Sequence, residues 1–142
     1  MSTRYEDLFR SLRNRGEGAF VPFLMLGDPT PECTLAIVRT VVAAGADALE
    51  LGVPFSDPVA DGPTIQASHL RALDGGATVD SALEQVRAIR AEFPELPIGI
   101  LIYGNVAFTR GFDRFYAEFA EAGADSILLP DVPVRAGAPF IA

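Results

Sequence analysis

Ala44-Gly45-Ala46-Asp47-Ala48-Leu49-Glu50-Leu51-Gly52-Val53 is the stretch on which the fold turns. Its glycine stops a helix, its aspartate leads into a strand, and its apolar run has the length of a strand covered on both faces. The same opening recurs as Ala122-Gly123-Ala124-Asp125, again feeding an apolar run, Ser126-Ile127-Leu128-Leu129. Two readings of the echo stand side by side: internal repetition of the kind a closed barrel carries, or a generic connector from helix to strand.

Outward from that stretch, the pattern alternates. Tyr5, Leu8, Phe9 and Leu12 fall on one helical face, closed by Gly16 and Gly18. Ala19 to Leu26 is a strand-length apolar run, although Pro22 has no N–H for a ladder. Gly27-Asp28-Pro29 turns the chain. Thr30 as N-cap and Pro31 at the first helical position open a helix whose buried face is Leu35, Val38 and Val42. Pro54 to Pro63 reads as a loop, and helical spacing resumes over Thr64 to Leu73 and again at Val79, Leu83, Val86 and Phe93. Pro97 to Gly104 is the third strand. Phe112, Phe115, Tyr116 and Phe119 mark a helix stopped by Gly123, and Ser126 to Leu129 is the fourth strand. Arg135 to Ala142 reads as the start of a further helix.

The order βαβαβαβ predicts an α/β fold with a parallel sheet. We expect residues 1–142 to be the N-terminal half of a single (β/α)₈ TIM-barrel domain: the first four βα units only, a half-barrel fragment. A whole barrel takes about 250 residues. Half of one presents two open strand edges and one bare sheet face.

Charge and composition narrow the function. The formal net charge of −8 disfavours nucleic acid and anionic membrane surfaces as partners. The basic residues are all arginine, with no lysine. The single cysteine, Cys33, allows no internal disulfide and reads as a packing residue. No apolar run approaches the ~20 residues that span a bilayer. The N-terminus has no apolar signal core, and Glu6 and Asp7 argue against a transit peptide, so the expected location is cytoplasmic.

Glu50 carries the chemistry. It interrupts an apolar strand where the echoed strand has Leu128, and covered faces on both sides of a parallel strand predict that it is buried. Unpaired buried carboxylates are costly and respond by raising their pKa, which suits acid–base work near neutral pH. The alternative is a glutamate satisfied by an arginine or by backbone amides. The loop after this strand, Val53 to Pro63, lies where barrel enzymes place their sites, and Asp57 and Asp61 are its charges. Either serves equally as second acid, helix cap or solvated charge. Asp28, Tyr103, Asn105 and Asp131 stand at other strand ends, and Asp28 and Asp131 read equally well as turn residues. Phe23, Phe55 and Leu101 are candidates to line an apolar pocket. His69 reads as structural. No His or Cys cluster suggests zinc or iron. Glu50, Asp57, Asp61 and Asp131 are the carboxylates that a Mg²⁺ would use, though no metal is expected. No glycine-rich phosphate loop is present.

The stretch from Ala46 to Gln66, ALELGVPFSDPVADGPTIQ with Ala46-Asp47 before it, resembles the signature of the tryptophan synthase α subunit. Val21-Pro22-Phe23, Gly27-Asp28-Pro29, Tyr103-Gly104-Asn105 and Asp131-Val132-Pro133 fit the same family, and the resemblance covers essentially the whole chain. It implies a lyase that splits indole-3-glycerol phosphate into indole and glyceraldehyde 3-phosphate by retro-aldol cleavage. It implies that Glu50 is the acid–base residue and that Asp61 stabilises positive charge on the indole nitrogen. It places Phe23, Leu101, Tyr103 and Pro130 around the substrate, and Pro54, Asp57 and Asn105 toward a β subunit in an α2β2 complex. No cofactor is implied in this chain; pyridoxal phosphate belongs to the β subunit. The substrate phosphate is expected on loops after the seventh and eighth strands, beyond Ala142, so residues 1–142 alone are expected to be nearly inactive. Two other readings are a non-catalytic half-barrel that only binds a partner, and another sugar-phosphate barrel enzyme.

Overall fold

The computed structural model describes residues 2–141. The elements run α1 (Arg4–Arg15), β1 (Phe23–Met25), α2 (Pro31–Ala43), β2 (Leu49–Gly52), α3 (Pro63–Asp74), α4 (Val79–Glu92), β3 (Ile98–Leu101), α5 (Gly104–Arg110), α6 (Phe112–Ala122) and β4 (Ser126–Leu128). The four strands form one parallel sheet in the order β1-β2-β3-β4. This is the α/β architecture of half a TIM barrel.

Most expected elements are present; the third strand, expected over Pro97 to Gly104, is confined to Ile98–Leu101, and three further differences stand out. The first strand is shorter than the Ala19–Leu26 run, yet its ladder continues past both ends. The Pro22 carbonyl accepts from Glu50 N–H at 3.1 Å, and Leu26 N–H donates to Gly52 at 2.9 Å. Pro22 thus contributes the acceptor it has and none of the donor it lacks. The second difference is α5, which the pattern did not predict. It opens on a glycine and is seven residues long, too short for a periodic stripe; Asp131 Oδ1 secures its start by accepting from Gly104 N–H at 2.8 Å. The third is the last segment, where two 3₁₀ turns, Val134–Ala136 and Ala138–Phe140, stand in place of the expected helix start. Pro139 lies in the first turn of the second, and Ala142 lies outside the described residues.

The two faces of the sheet differ. Leu24, Leu51, Ile100 and Ile127 share one face and join Val38, Leu83, Val86, Ile89, Phe115 and Phe119 of the helices in the main core. Phe23, Glu50, Gly99 and Ser126 form one level of the opposite face, and Met25, Gly52, Leu101 and Leu128 the next. At the N-terminal end of the strands, Tyr5 Oη lies 3.2 Å from Ser126 Oγ, so α1 covers that end. The rest of this inner face is open: Leu128 is 52% exposed and Glu50 is only half-buried. The expectation that Glu50 is buried is therefore corrected. Helices pack across one whole face of the sheet, whereas the described elements cover the other only at its margins, α1 at the N-terminal end and α3 beside Met25 of β1.

The echo proves to be a working device. Asp47 N–H donates to Phe20 O at 2.9 Å, and its Oδ2 accepts from Phe20 N–H at 2.8 Å. Asp125 makes the same two bonds to Ile98, both at 2.8 Å. Each aspartate clasps the base of the preceding strand. Counted from the clasp, Glu50 corresponds to Leu128, yet the ladder sets Glu50 level with Ser126, two residues earlier. That is one residue of stagger per strand, which over eight strands is the shear of a TIM barrel. Beneath the second clasp lies Arg90. It donates to the carbonyls of Gly123 (2.8 and 3.0 Å) and Leu96 (2.7 Å) and to Asp125 Oδ2 (2.7 Å). Gly123 is required there, because a Cβ would meet Arg90 Cγ at 2.6 Å.

Candidate active site

The site is built on the end of β2 and the loop after it. Glu50 points to the inner face beside Phe23, its register partner on β1. Two residues on, Gly52 lets the Phe23 ring lie across the strand; a Cβ at Gly52 would meet Phe23 Cζ at 2.6 Å. Among the described residues, Glu50 has no ion pair and no side-chain hydrogen bond to its carboxylate. The arginine-satisfied alternative therefore finds no support.

Asp61 stands in the opposite condition. Its Oδ2 accepts from Tyr103 Oη at 2.7 Å and lies 3.1 Å from His69 Nε2. Tyr103 Oη in turn accepts from Ala60 N–H at 3.0 Å, and Gln66 Nε2 donates to the Asp61 carbonyl at 2.8 Å. The Asp61 side chain is 16% exposed. Tyr103 is 1% exposed, and burial, followed by its hydrogen bond to Asp61, pushes its phenol up to about 12. It stays a donor at every working pH. Its ring stacks on Phe55, with centroids 5.1 Å apart and planes 19° from parallel.

His69 was read from sequence as structural, and the structure gives it a further place. It is fully buried, its Nδ1 accepts from Phe55 N–H at 3.0 Å, and its Nε2 faces Asp61. An Nδ1 that accepts leaves the hydrogen on Nε2, so the ring is the neutral donor to Asp61. The signal available in the sequence was helical spacing: Ile65, His69 and Ala72 fall on one face of α3, of which Ile65 and Ala72 pack with Met25 of β1.

The other candidates divide. Phe23 and Leu101 are half-buried on the inner face with Glu50, and Pro130 is exposed beyond β4. Tyr103 is beside Asp61, with its hydroxyl taken up by that carboxylate and by Ala60. Asp57 is exposed on the loop past β2 and Asn105 in the first turn of α5, whereas Pro54 is buried. Asp28 belongs to a brace: Arg71 grips it with two bonds (2.9 and 2.7 Å) and Ser68 with a third. Arg71 holds the Asp28 carboxyl below the ordinary range. Asp131 caps the start of α5. A groove along the β4 edge, lined by Tyr116, Ser126, Ile127 and Phe140, contains neither Glu50 nor Asp61. Among the described residues no group of three His, Cys, Asp or Glu comes together to hold a metal ion, and no helix is long and apolar enough to cross a membrane.

Comparison with known proteins gives consistent results. Residues 9–142 match the family model described as "Tryptophan synthase alpha chain". The tryptophan synthase alpha chain of Corynebacterium diphtheriae is 79% identical over 140 residues, covering 99% of this chain and 50% of that protein. The structure of tryptophan synthase subunit alpha from Legionella pneumophila str. Paris superposes with a TM-score of 0.93 at 36% identity, over 97% of this chain and 53% of that one. A structure described as the tryptophan synthase α2β2 complex from Pyrococcus furiosus gives a TM-score of 0.80 at 39% identity, over 86% and 51%. The chain spans about half the length of the curated relatives it matches.

Proposed function

The chain belongs to the tryptophan synthase alpha chain family, and on that premise we propose that it carries the proton-transfer half of a lyase site for indole-3-glycerol phosphate. The observation that supports this is the contrast between two carboxylates at one strand end. Glu50 is unpaired on the inner face, while Asp61 is fixed by Tyr103 and His69. A group that must gain and lose a proton works best without a fixed counter-charge. A group that stabilises a developing cation works best already oriented.

The chemistry follows from those two conditions. Glu50, as an acid, delivers a proton to C3 of the indole ring. The ring nitrogen then carries positive charge, and Asp61 stabilises it while accepting the N–H. The resulting carboxylate of Glu50 takes the proton from the glycerol hydroxyl next to the ring. That hydroxyl oxygen becomes the aldehyde oxygen, and the bond between C3 and the side chain breaks. Its electron pair returns to the ring, releasing indole and glyceraldehyde 3-phosphate. A Schiff-base route needs an amine nucleophile, and this stretch has no lysine.

Phe23 and Leu101 present the apolar surface that an indole ring needs, with Pro130 beyond it. The loop from Pro54 to Asp57 and Asn105 would meet a β subunit in an α2β2 complex, with pyridoxal phosphate held by that partner and none by this chain. The work belongs to tryptophan biosynthesis, in the cytoplasm. The test is indole release by the complete α chain. Glu50→Gln and Asp61→Asn should each lower kcat by roughly 10²-fold or more, the usual scale for losing a positioned acid–base or electrostatic group. Retention of turnover by Glu50→Gln would sink this reading.

A further inference from the structure

The 55–61 loop is tied at both ends to one side chain. Phe55 N–H donates to His69 Nδ1 at 3.0 Å, and Asp61 Oδ2 lies 3.1 Å from His69 Nε2. Between these points the loop contains Pro58, exposed residues and no regular structure. We propose that His69 is a positioning residue for the cleavage reaction: a strut on α3 that clasps both ends of the loop and so sets the orientation of Asp61. The proposal rests on the lyase reading above.

Three features make the strut directional. His69 is fully buried, so water cannot replace either partner. The backbone donor at Phe55 dictates the tautomer, which places the only ring hydrogen on the nitrogen facing Asp61. The T-shaped contact with Tyr103, centroids 6.1 Å apart at 70°, keeps the ring from turning away. Tyr103 approaches the same carboxylate oxygen from β3, so Asp61 is gripped from two elements, leaving its Oδ1 for a ligand.

Two substitutions separate the two ends. His69→Asn keeps an acceptor where Nδ1 was and loses the reach to Asp61. His69→Gln keeps a donor where Nε2 was and loses the Phe55 anchor. In the complete α chain, His69→Asn should lower kcat roughly tenfold, equivalent to one hydrogen bond to a charged group, with KM within about twofold. His69→Gln, which keeps a donor to Asp61 and loses the Phe55 anchor, should lose less than His69→Asn. If the asparagine variant turns over as fast as the glutamine variant, or faster, the strut is only a loop anchor and the proposal is overturned. Should the variants fail to fold, imidazole ¹⁵N shifts of His69 in the unaltered protein decide: hydrogen on Nε2, with a resonance that moves in Asp61→Asn, is required, and hydrogen on Nδ1 refutes it. If Glu50→Gln and Asp61→Asn leave turnover unchanged, the lyase reading falls instead, and the ¹⁵N measurement alone judges the strut.

Discussion

Replacing Tyr103 by phenylalanine removes one oxygen and nothing else of consequence. The ring stays buried and stacked on Phe55, because phenylalanine fills the same space. The donor to Asp61 at 2.7 Å and the acceptor for Ala60 N–H at 3.0 Å disappear. Ala60 is exposed, so water takes up its N–H at little cost. Asp61 keeps His69 and partial solvent contact. Stability should therefore fall by only about 1–2 kcal/mol. Turnover should fall further. A hydrogen bond to a charged group is worth about 1.5–3 kcal/mol, and at about 1.36 kcal/mol per decade this is roughly 10- to 150-fold in kcat if the orientation of Asp61 matters chiefly in the transition state. The assays are indole release by the complete α chain and urea unfolding, with an unchanged m-value showing that the same surface unfolds. The phenol adds an alkaline signature. Its folded pKa is raised to about 12 from 10.0, so its contribution to stability is complete below pH 10 and is lost as pH rises toward 12. The phenylalanine variant should lack that component of alkaline destabilisation. Wild-type kcat in Tyr103→Phe would refute the claim that this hydroxyl holds a working Asp61.

Three further outcomes are expected. Arg90→Met should destabilise by about 3–5 kcal/mol, because it strands the carbonyls of Gly123 and Leu96 around a group only 13% exposed; thermal unfolding checks it. Asp28 titrates below its ordinary 3.8 because Arg71 hydrogen-bonds its carboxylate. A depressed folded pKa stabilises above the unfolded value and loses that contribution as pH falls through the folded one, so the stability gap between wild type and Asp28→Asn should be full at pH 7 and close below about pH 4. Residues 1–142 expressed alone should release indole at a small fraction of the rate of a full-length relative, since binding energy from a remote phosphate supports catalysis at the reacting centre; comparable rates would show that this stretch binds the phosphate itself.

The parts of the fold legible in the sequence were those set by one-dimensional rules. Gly123 after an aromatic stripe, and Pro31 after Thr30, mark helix ends because backbone geometry restricts those positions, and β2 stands out as a glutamate in an apolar run. The sequence did not show what depends on the third dimension. His69 looked like a core histidine because its two partners lie 14 and 8 residues away on a loop with no periodicity. From the residues alone Asp57 and Asp61 stood equal; what distinguishes them in the structure is that Tyr103 and His69 reach Asp61, contacts no loop pattern records. The exposure of Glu50 was misjudged because a strand pattern records its own hydrophobicity, not which layers cover it. The echoed aspartates were noticed, but their job was invisible until Phe20 and Ile98 were seen beneath them.

Each strand in this sheet pairs only with its neighbours in sequence, β1 with β2, β2 with β3 and β3 with β4. Each pairing closes only the helical connection between consecutive strands, so no pairing waits for a strand made later still. The sheet can therefore grow in one direction, each new strand docking on the last as synthesis proceeds from the N-terminus. The edge that receives each new strand is the most recent one, and on the arrival of β2 and β4 an aspartate, Asp47 or Asp125, fastens it to the strand before. Such a segment is suited to folding on the ribosome one βα unit at a time, with Glu50 of β2 placed first and Asp61 fixed only when Tyr103 arrives after β3.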